Sequence, residues 1–359
     1  MGLSRINEGL PVVSIVVPLR NEELFISLCL QALVAQDYPA DKLEIIVVDG
    51  ASEDKSAAIV EEFAARHSNI MLLLNGRKIT PVARNIGIGN AGGEYIAIID
   101  SHSRIDPGYI RETTAIMRNH PEIDCVGGAM KTIGLGFWGQ AAAAALASPF
   151  GVGDSKFRTS DREALVDTVA FPVYRRSVFD KIGTFDERLA RNQDNDFNFR
   201  LRRDDGKILL TPKVNSYYYA PPTLYKFCRQ AWRNGFWNLR LTRLVGQGLS
   251  LRHFVPLAFV IALLVSLGGW IFAGEGRPFV ALAIVYGAAA VLASLAGGEK
   301  NGWRYVPVLP ILFLLLHLSY GLGSAAGLVE IFAGSGARRP EAAGTGSIKK
   351  PATQKEKVQ

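Results

Sequence analysis

At 359 residues, 48% of them hydrophobic, with 40 Lys and Arg against 33 Asp and Glu, the chain is long enough for two domains and carries a formal net charge of +7. No RNP-like, zinc-finger or helix-turn-helix pattern accompanies that charge, which argues against nucleic acid and for a membrane surface as the anionic partner. Three cysteines (Cys29, Cys125, Cys228), far apart and without a CxxC, argue against a disulfide framework and fit a reducing compartment.

The N-terminus MGLSRINEGLPVVS has no apolar core of a cleavable signal, so the first half is expected to stay in the cytoplasm. VVSIVVPL (12–19) reads as a buried strand. A helix is expected over 22–36, with Asn21 as its cap and Glu22 and Glu23 in its first turn. LEIIVVDG (43–50) is a second strand, DKSAAIVEEFAARH (54–67) a helix that Asp54 can cap, and IMLLLN (70–75) a third strand. PVARNIGIGNA (81–91) follows as a helix and EYIAIID (94–100) as a fourth strand. Alternating strands and helices predict a parallel α/β sheet, in which ligands bind beyond the carboxyl ends of the strands. Pro18–Glu22, Asp49–Asp54 and Asp100–His102 fall there. Asp106 and Pro107 read as the start of the next helix. GIGNAG (87–92) fits a dinucleotide-binding fingerprint, but its glycines close a helix instead of opening one, so they read as a helix stop and tight turn.

Taken together, VSIVVPLRNEE, VVDGASED, ARNIGIGNAGGEYIAIIDSHSRIDP, VGGAM, DTVAFPVYRRSVFDKIGTFDERLARNQDNDFNFRL and ILLTPKVNSYYY resemble a family 2 inverting glycosyltransferase over about residues 11–240. VDTVAFPVYRR, RNQDNDFNFRL and RQAWRNGFWN are similar to one branch, the bacterial succinoglycan-biosynthesis glucosyltransferases. The resemblance implies a GT-A fold, that is, a Rossmann-like nucleotide-sugar-binding domain, and a UDP-sugar donor. It implies that Asp49 meets the uracil or ribose, Pro18 and Arg20 frame the base, and Glu22 meets the ribose. Arg84, in the ARN-G element, would hold the base or a phosphate; it reads otherwise as a solvated helix face. The family's fourth strand ends in Asp-x-Asp, which holds a divalent cation across the donor diphosphate. Here the pattern is Asp100-Ser101-His102, and imidazole suits Mn²⁺ better than Mg²⁺, so the resemblance implies Mn²⁺ or Mg²⁺ on Asp100 and His102.

An inverting transfer needs one general base to deprotonate the acceptor hydroxyl. RNQDNDFNFRL offers Asp194 and Asp196, with Gln193 where the family has Glu. By position Asp194 is the base, and Asp196 tunes it or meets the acceptor; both also suit a helix N-terminus. RQAWRN is similar to the Gln-x-x-Arg-Trp element of processive synthases, with Asn234 in place of the Trp, which argues against processive synthesis. Arg233 would touch the diphosphate, while Trp232 and Trp237 suit a membrane interface.

Three apolar runs follow, 253–274, 277–298 and 305–332, each about the ~20 residues or more that cross a bilayer. Arg229, Arg233, Arg240, Arg243 and Arg252 precede the first, in a basic interfacial segment of about 221–252; this is the pattern of a cytoplasmic flank. The expected organisation is a catalytic domain over 1–245, a transmembrane region over 253–333 and a basic, disordered tail over 334–359. Three spans conflict with that tail, since Arg338, Arg339, Lys349 and Lys350 prefer the side on which the chain began. Either the third run is a hairpin or re-entrant piece, or the tail crosses despite its charge. His317 reads as a lipid-phosphate contact or as a helix–helix hydrogen bond.

The expected protein is thus a transferase in the inner membrane, facing the cytoplasm. It moves a hexose, glucose from UDP-glucose, to a polyprenyl-linked saccharide in exopolysaccharide biosynthesis, beside membrane lipid and other polysaccharide-assembly proteins. Its rivals are a transferase acting on bare polyprenyl phosphate, a non-catalytic nucleotide-sugar-binding scaffold and a transporter subunit.

Overall fold

The computed structural model describes residues 9–153, 156–159, 162–245 and 251–333; the expected tail and the side chain of Arg243 lie outside the described residues. The β-branched runs form β1 (Val13–Leu19), β2 (Leu43–Asp49), β3 (Ile70–Leu74) and β4 (Tyr95–Ile98). They pair in parallel in the order β3-β2-β1-β4, with Leu19 opposite Asp49. Parallel neighbours need crossovers, and α1 (Ile26–Val34), α2 (Ser56–Ala64) and α3 (Thr80–Asn90) supply them. Every residue of β1 is buried, which is why it reads as an unbroken apolar run. Pro18 cannot donate to a ladder. It sits past Val16↔Ile98, the last pair with β4, where β2 alone still runs alongside β1.

The parallel pattern extends no further. The next strands are β5 (Ser103–Ile105), β6 (Cys125–Ile133), β7 (Ala164–Leu165), β8 (Val173–Arg175) and β9 (Ile208–Tyr219). β8 lies antiparallel between β4 and β6, while β9 runs parallel to β6 and antiparallel to β5 and β7. Among the described residues this is one nine-stranded mixed sheet, β3-β2-β1-β4-β8-β6-β9-β5, with β7 on β9. One face buries Val13, Ile15 and Val17 against α1 and against α4 (Tyr109–Asn119). The other buries Val16, Ile46 and Ile98, continuing into Phe179, Phe185 and Phe197 beside α6 (Arg176–Ile182) and α7 (Gln193–Arg203).

Between α4 and α6 runs α5 (Gly136–Ala147), whose alanines 141–145 are all buried. Their flat surface meets Phe227 and Ala231 of α8 (Leu224–Val245). The apolar runs form α9 (Val255–Ala273), α10 (Arg277–Asn301) and α11 (Leu309–Phe332), each long and apolar enough to cross a membrane. Leu309, Leu312, Phe313 and Leu316 of α11 complete the core begun by the α5 alanines.

Two local expectations are corrected. Asn21 does not cap a helix starting at residue 22: it takes φ 54°, and its side chain accepts from the Glu53 N–H (2.8 Å) while its own N–H donates to Ser52 Oγ (2.9 Å). Cross-loop bonding therefore holds residues 21–25 outside α1. Asp106 and Pro107 likewise precede α4, because the Asp106 carboxylate accepts from the Asn215 backbone and side chain (2.8 and 3.0 Å), tying the segment to β9.

Candidate active site

Neighbouring strands bring polar ends to one edge of the sheet, and the turns beyond them are strained. Asn21, Ala51 and Lys78, just past β1, β2 and β3, all take positive φ (54°, 53° and 60°). Such geometry is retained where the surrounding structure fixes it, commonly at functional loops. At the end of β2, Asp49 is buried and accepts from the Ser52 N–H (3.0 Å) and Ser52 Oγ (2.5 Å). Arg20 donates to the Lys78 carbonyl (3.0 Å) and stands 4.0 Å from Glu53. Asp54 accepts from the Ser56 N–H (2.9 Å) and the Glu23 N–H (3.2 Å), but the N-cap of α2 is Lys55, without a side-chain cap bond, so Asp54 stands one residue before the expected capping position.

Asp100 lies two residues beyond β4. Ser103 Oγ donates to its carbonyl (2.6 Å), which explains the polar run after the strand. Its carboxylate faces Arg84 of α3 at 3.3 Å. Arg84 is buried and stacks over the Phe185 ring at 5.1 Å, so it is not on a solvated helix face, and its Nε has no hydrogen-bond partner. His102 Nδ1 stands 3.1 Å from Glu22 Oε1, an ion-pair distance without hydrogen-bond alignment, and its ring meets Tyr218 edge-on. Burial opposes protonation of His102, but Glu22 and then Asp100 outweigh it and raise its pKa.

Gln193 opens α7, preceded by Asn192 at φ 58°. The two carboxylates that follow diverge. Asp194 lines a cavity of about 660 Å³ together with Arg84 and Asp100. Asp196 is 3% exposed and accepts from Arg200 Nε (3.0 Å), while the same guanidinium donates to the carbonyls of Ile182 and Thr184 (2.7 and 2.8 Å). Asp196 therefore holds Arg200, which ties α7 to the end of α6 and the segment after it.

The same cavity is also lined by Phe150, Phe259, Tyr286 and His317, residues outside the sheet. The His317 ring nitrogen is 2.9 Å from the Tyr286 hydroxyl, which matches the helix–helix reading of that residue. Asn192 donates to Asn238 of α8, which in turn donates to the Tyr320 hydroxyl of α11.

Several residues that sequence reasoning passed over stand here. Arg158 lines the cavity between the Phe157 and Tyr218 rings, with Nη1 donating to Thr132 Oγ1 (2.6 Å). Burial pushes its pKa down to about 10, so it stays charged at neutral pH. Arg191 donates to Asn234 (2.7 Å), which accounts for the residue found in place of Trp. Burial, then Arg233 and Arg229, bring the Arg191 pKa to about 10; burial, then Arg229, also lowers that of Arg233. Gln230 donates to the Tyr218 hydroxyl (2.8 Å). A lone arginine in a loop gives no sequence signal, but the arginine repeat Arg229-x-x-x-Arg233 at helical spacing could have pointed to this cluster.

The structure thus joins Arg84, Asp100 and Asp194 in one cavity, sets Pro18, Arg20 and Asp49 on the sheet edge outside its lining, and groups Arg233 with Arg191. Among the described residues no three His, Cys, Asp or Glu side chains converge on a point. Asp100 with a nearby histidine is too small a donor set for a protein-only cation site. It fits a cation that draws its remaining ligands from a diphosphate.

Residues 14–183 match the family described as glycosyl transferase family 2. A dolichyl N-acetyl-α-D-glucosaminyl phosphate 3-β-D-2,3-diacetamido-2,3-dideoxy-β-D-glucuronosyltransferase of Methanococcus voltae is 26% identical over 333 residues, 89% of this chain and 97% of that protein. The succinoglycan biosynthesis protein ExoA of Rhizobium meliloti is 25% identical over 316 residues, 86% of this chain and 92% of its own. Among solved structures, a mannosyltransferase of Pyrobaculum calidifontis, in complex with GDP-Man and Mn²⁺, superposes with a TM-score of 0.54 at 18% identity. The match covers 90% of this chain and 88% of that one. With the mixed sheet, the polar strand ends and Asp194 in the first turn of α7 in place, the chain is a family 2 glycosyltransferase built on the GT-A fold.

Proposed function

We propose that the enzyme is anchored in the inner membrane, with its catalytic half in the cytoplasm, and transfers glucose from UDP-glucose with inversion to a hydroxyl of a polyprenyl-linked saccharide bound for export. The observation that carries this reading is the single cavity that runs from Asp100 and Asp194 to the aromatic and aliphatic residues of α9, α10 and α11. A water-soluble acceptor has no use for Phe259, Tyr286 and Leu316 in the lining of its site, whereas a polyprenyl chain does. The names of the Methanococcus and Rhizobium relatives, one a transferase to a dolichyl-linked sugar phosphate and one a succinoglycan biosynthesis protein, support the same class of acceptor.

In this reading Asp49 accepts from the uracil N–H or the ribose, Pro18 and Arg20 border the base, and Glu22 meets the ribose. Arg84, Arg191 and Arg233 face the diphosphate. Asp100, with His102 beside it, would hold Mn²⁺ or Mg²⁺, which would supply charge neutralisation for the leaving diphosphate. Asp194 takes the proton of the acceptor hydroxyl as its oxygen attacks the anomeric carbon; the bond to UDP breaks on the opposite face and a β-linkage forms. Asp196, held by Arg200, fixes the turn that presents Asp194. Arg158 answers the phosphate of the acceptor lipid.

The test is product analysis with a panel of labelled UDP-sugars and membrane lipid extract. Label from UDP-glucose on a polyprenyl-linked saccharide is the expected result. Label on bare polyprenyl phosphate alone would favour the rival acceptor, and neither transfer nor donor hydrolysis, with or without Mn²⁺, would favour a scaffold.

A further inference from the structure

α11 has the length and apolarity of a membrane span, yet its neighbours are those of a surface helix. Over their most apolar stretches, 39% of α11 is buried against the protein, compared with 6% of α9 and 11% of α10. The burial runs along its whole length. Its first turns pack on the α5 alanines. Beyond them Gly323, Gly327 and Glu330 follow α8 in register. A Cβ at Gly323 would come 2.1 Å from the Trp232 carbonyl, one at Gly327 would come 2.8 Å from the Phe236 carbonyl, and Glu330 reaches Arg240 at 3.6 Å.

α8 also carries Arg229 and Arg233, so a helix laid against it stays at the depth of charged side chains. Tyr320, near the middle of α11, accepts from Asn238, which is bonded to Asn192 two residues before Asp194. It also lines the cavity with Asp100. At ~1.5 Å per residue Tyr320 is about 17 Å from either end of the helix, so an upright α11 would put it near the centre of a ~30 Å hydrocarbon core, and the catalytic carboxylates with it. α11 meets α9 at Pro256 and Val260, in the first turns of α9, whereas Leu264, Val265 and Ile271 further along α9 are exposed.

We infer that α11 does not cross the membrane: it lies in the plane of the cytoplasmic lipid surface, and the α9–α10 hairpin is the membrane-crossing element of the described residues. This rests on the membrane attachment proposed above and departs from the expected three spans. The face turned away from α5 and α8 is a single apolar stripe, Ile311, Leu314, Leu322, Val329 and Phe332, all exposed. A stripe of that kind suits the headgroup–acyl boundary, where apolar side chains insert ~5–10 Å. Two crossings return the chain to the side on which it began, and the tail with Arg338, Arg339, Lys349 and Lys350 then meets anionic lipid on the cytoplasmic side. The conflict between span number and tail charge disappears.

The test uses the full chain carrying Cys228→Ser, since Cys29 and Cys125 are buried. Single cysteines at Leu322 and, separately, Leu264 are spin-labelled in anionic vesicles, and immersion depth is read from collisions with oxygen and a nickel chelate. Both positions are exposed, so the label does not disturb packing. Leu322 is expected shallow and Leu264 deep, and a C-terminal green fluorescent protein is expected to fluoresce where a C-terminal alkaline phosphatase is silent. Leu322 as deep as Leu264, or an active C-terminal phosphatase, overturns the inference. Leu264 outside the hydrocarbon overturns the membrane attachment itself.

Discussion

The strand-end edge of the sheet and the group of arginines near α8, Arg158 in the cavity lining and Arg191 with Arg233, are both charged, but their charges are settled differently. On the edge, and in the Arg84–Asp100 pair where it meets the cavity, each charged group has a local answer: Asp49 has Ser52, Arg20 has the Lys78 carbonyl and Glu53, Arg84 has Asp100, and Glu22 has His102. In the second region Arg158, Arg191 and Arg233 have no ion pair with a carboxylate among the described residues. Thr132 answers Arg158, and Asn234 answers Arg191. A buried cation met only by neutral oxygens carries an uncompensated desolvation cost. The first region is complete as folded; in the function proposed above, the second is completed by anions, a diphosphate from one side and a lipid phosphate from the other.

Removing the base should break the account most severely. Asp194→Asn keeps the shape of the turn but cannot take a proton, so kcat is expected to fall ~10²–10⁴-fold while UDP affinity, read by calorimetry, is unchanged. Asp196→Asn should do the opposite. It leaves Arg200 without its charged partner and should lower stability by about 1–3 kcal/mol in a thermal melt, with turnover largely kept in the folded fraction. A dead Asp196→Asn enzyme beside an active Asp194→Asn enzyme would exchange the two roles.

Arg158→Met should raise the KM for the lipid acceptor by roughly 10–100-fold, the worth of a hydrogen bond to a charged group, with donor hydrolysis unaltered. An equal loss in both assays would move Arg158 to the donor side and erase the contrast between the regions. Gly323→Leu should force α11 away from the Trp232 carbonyl and cost about 1–3 kcal/mol in thermal stability, as overpacking does. The smallest effect is expected at His102→Ala. With the ring standing between Glu22 and Tyr218, the Mn²⁺ concentration for half-maximal rate should rise less than tenfold, short of the ~10–100-fold that well-aligned outer partners carry.

The contrast also explains what could be read in advance. The first four strands and the positions of Asp49 at a strand end, Asp100 just past one and Arg84 on a helix were legible because consecutive βα units write strand, strand end and helix in one local pattern. β8 was not, since its antiparallel place between β4 and β6 depends on pairings with segments some fifty to eighty residues away. Arg158 and Tyr218 come together from a single helical turn and a strand some sixty residues apart, and no spacing announces that. Phe171 at φ 49° is another silent feature, a non-glycine residue in a left-handed turn that lines the cavity. At α11 two signals overlap. Its composition is that of a membrane span, but Gly321, Gly323 and Gly327 serve close packing on neighbouring backbones, which hydropathy does not register.

The central claim is that one cavity serves both the reacting carboxylates and a lipid tail. It is tested most directly by comparing initial rates of glucose transfer to a polyprenyl-linked saccharide and to the same saccharide freed of its lipid, at equal concentration in the same detergent. The account predicts rapid transfer to the lipid-linked acceptor and little to the free one; equal rates on the two would contradict it.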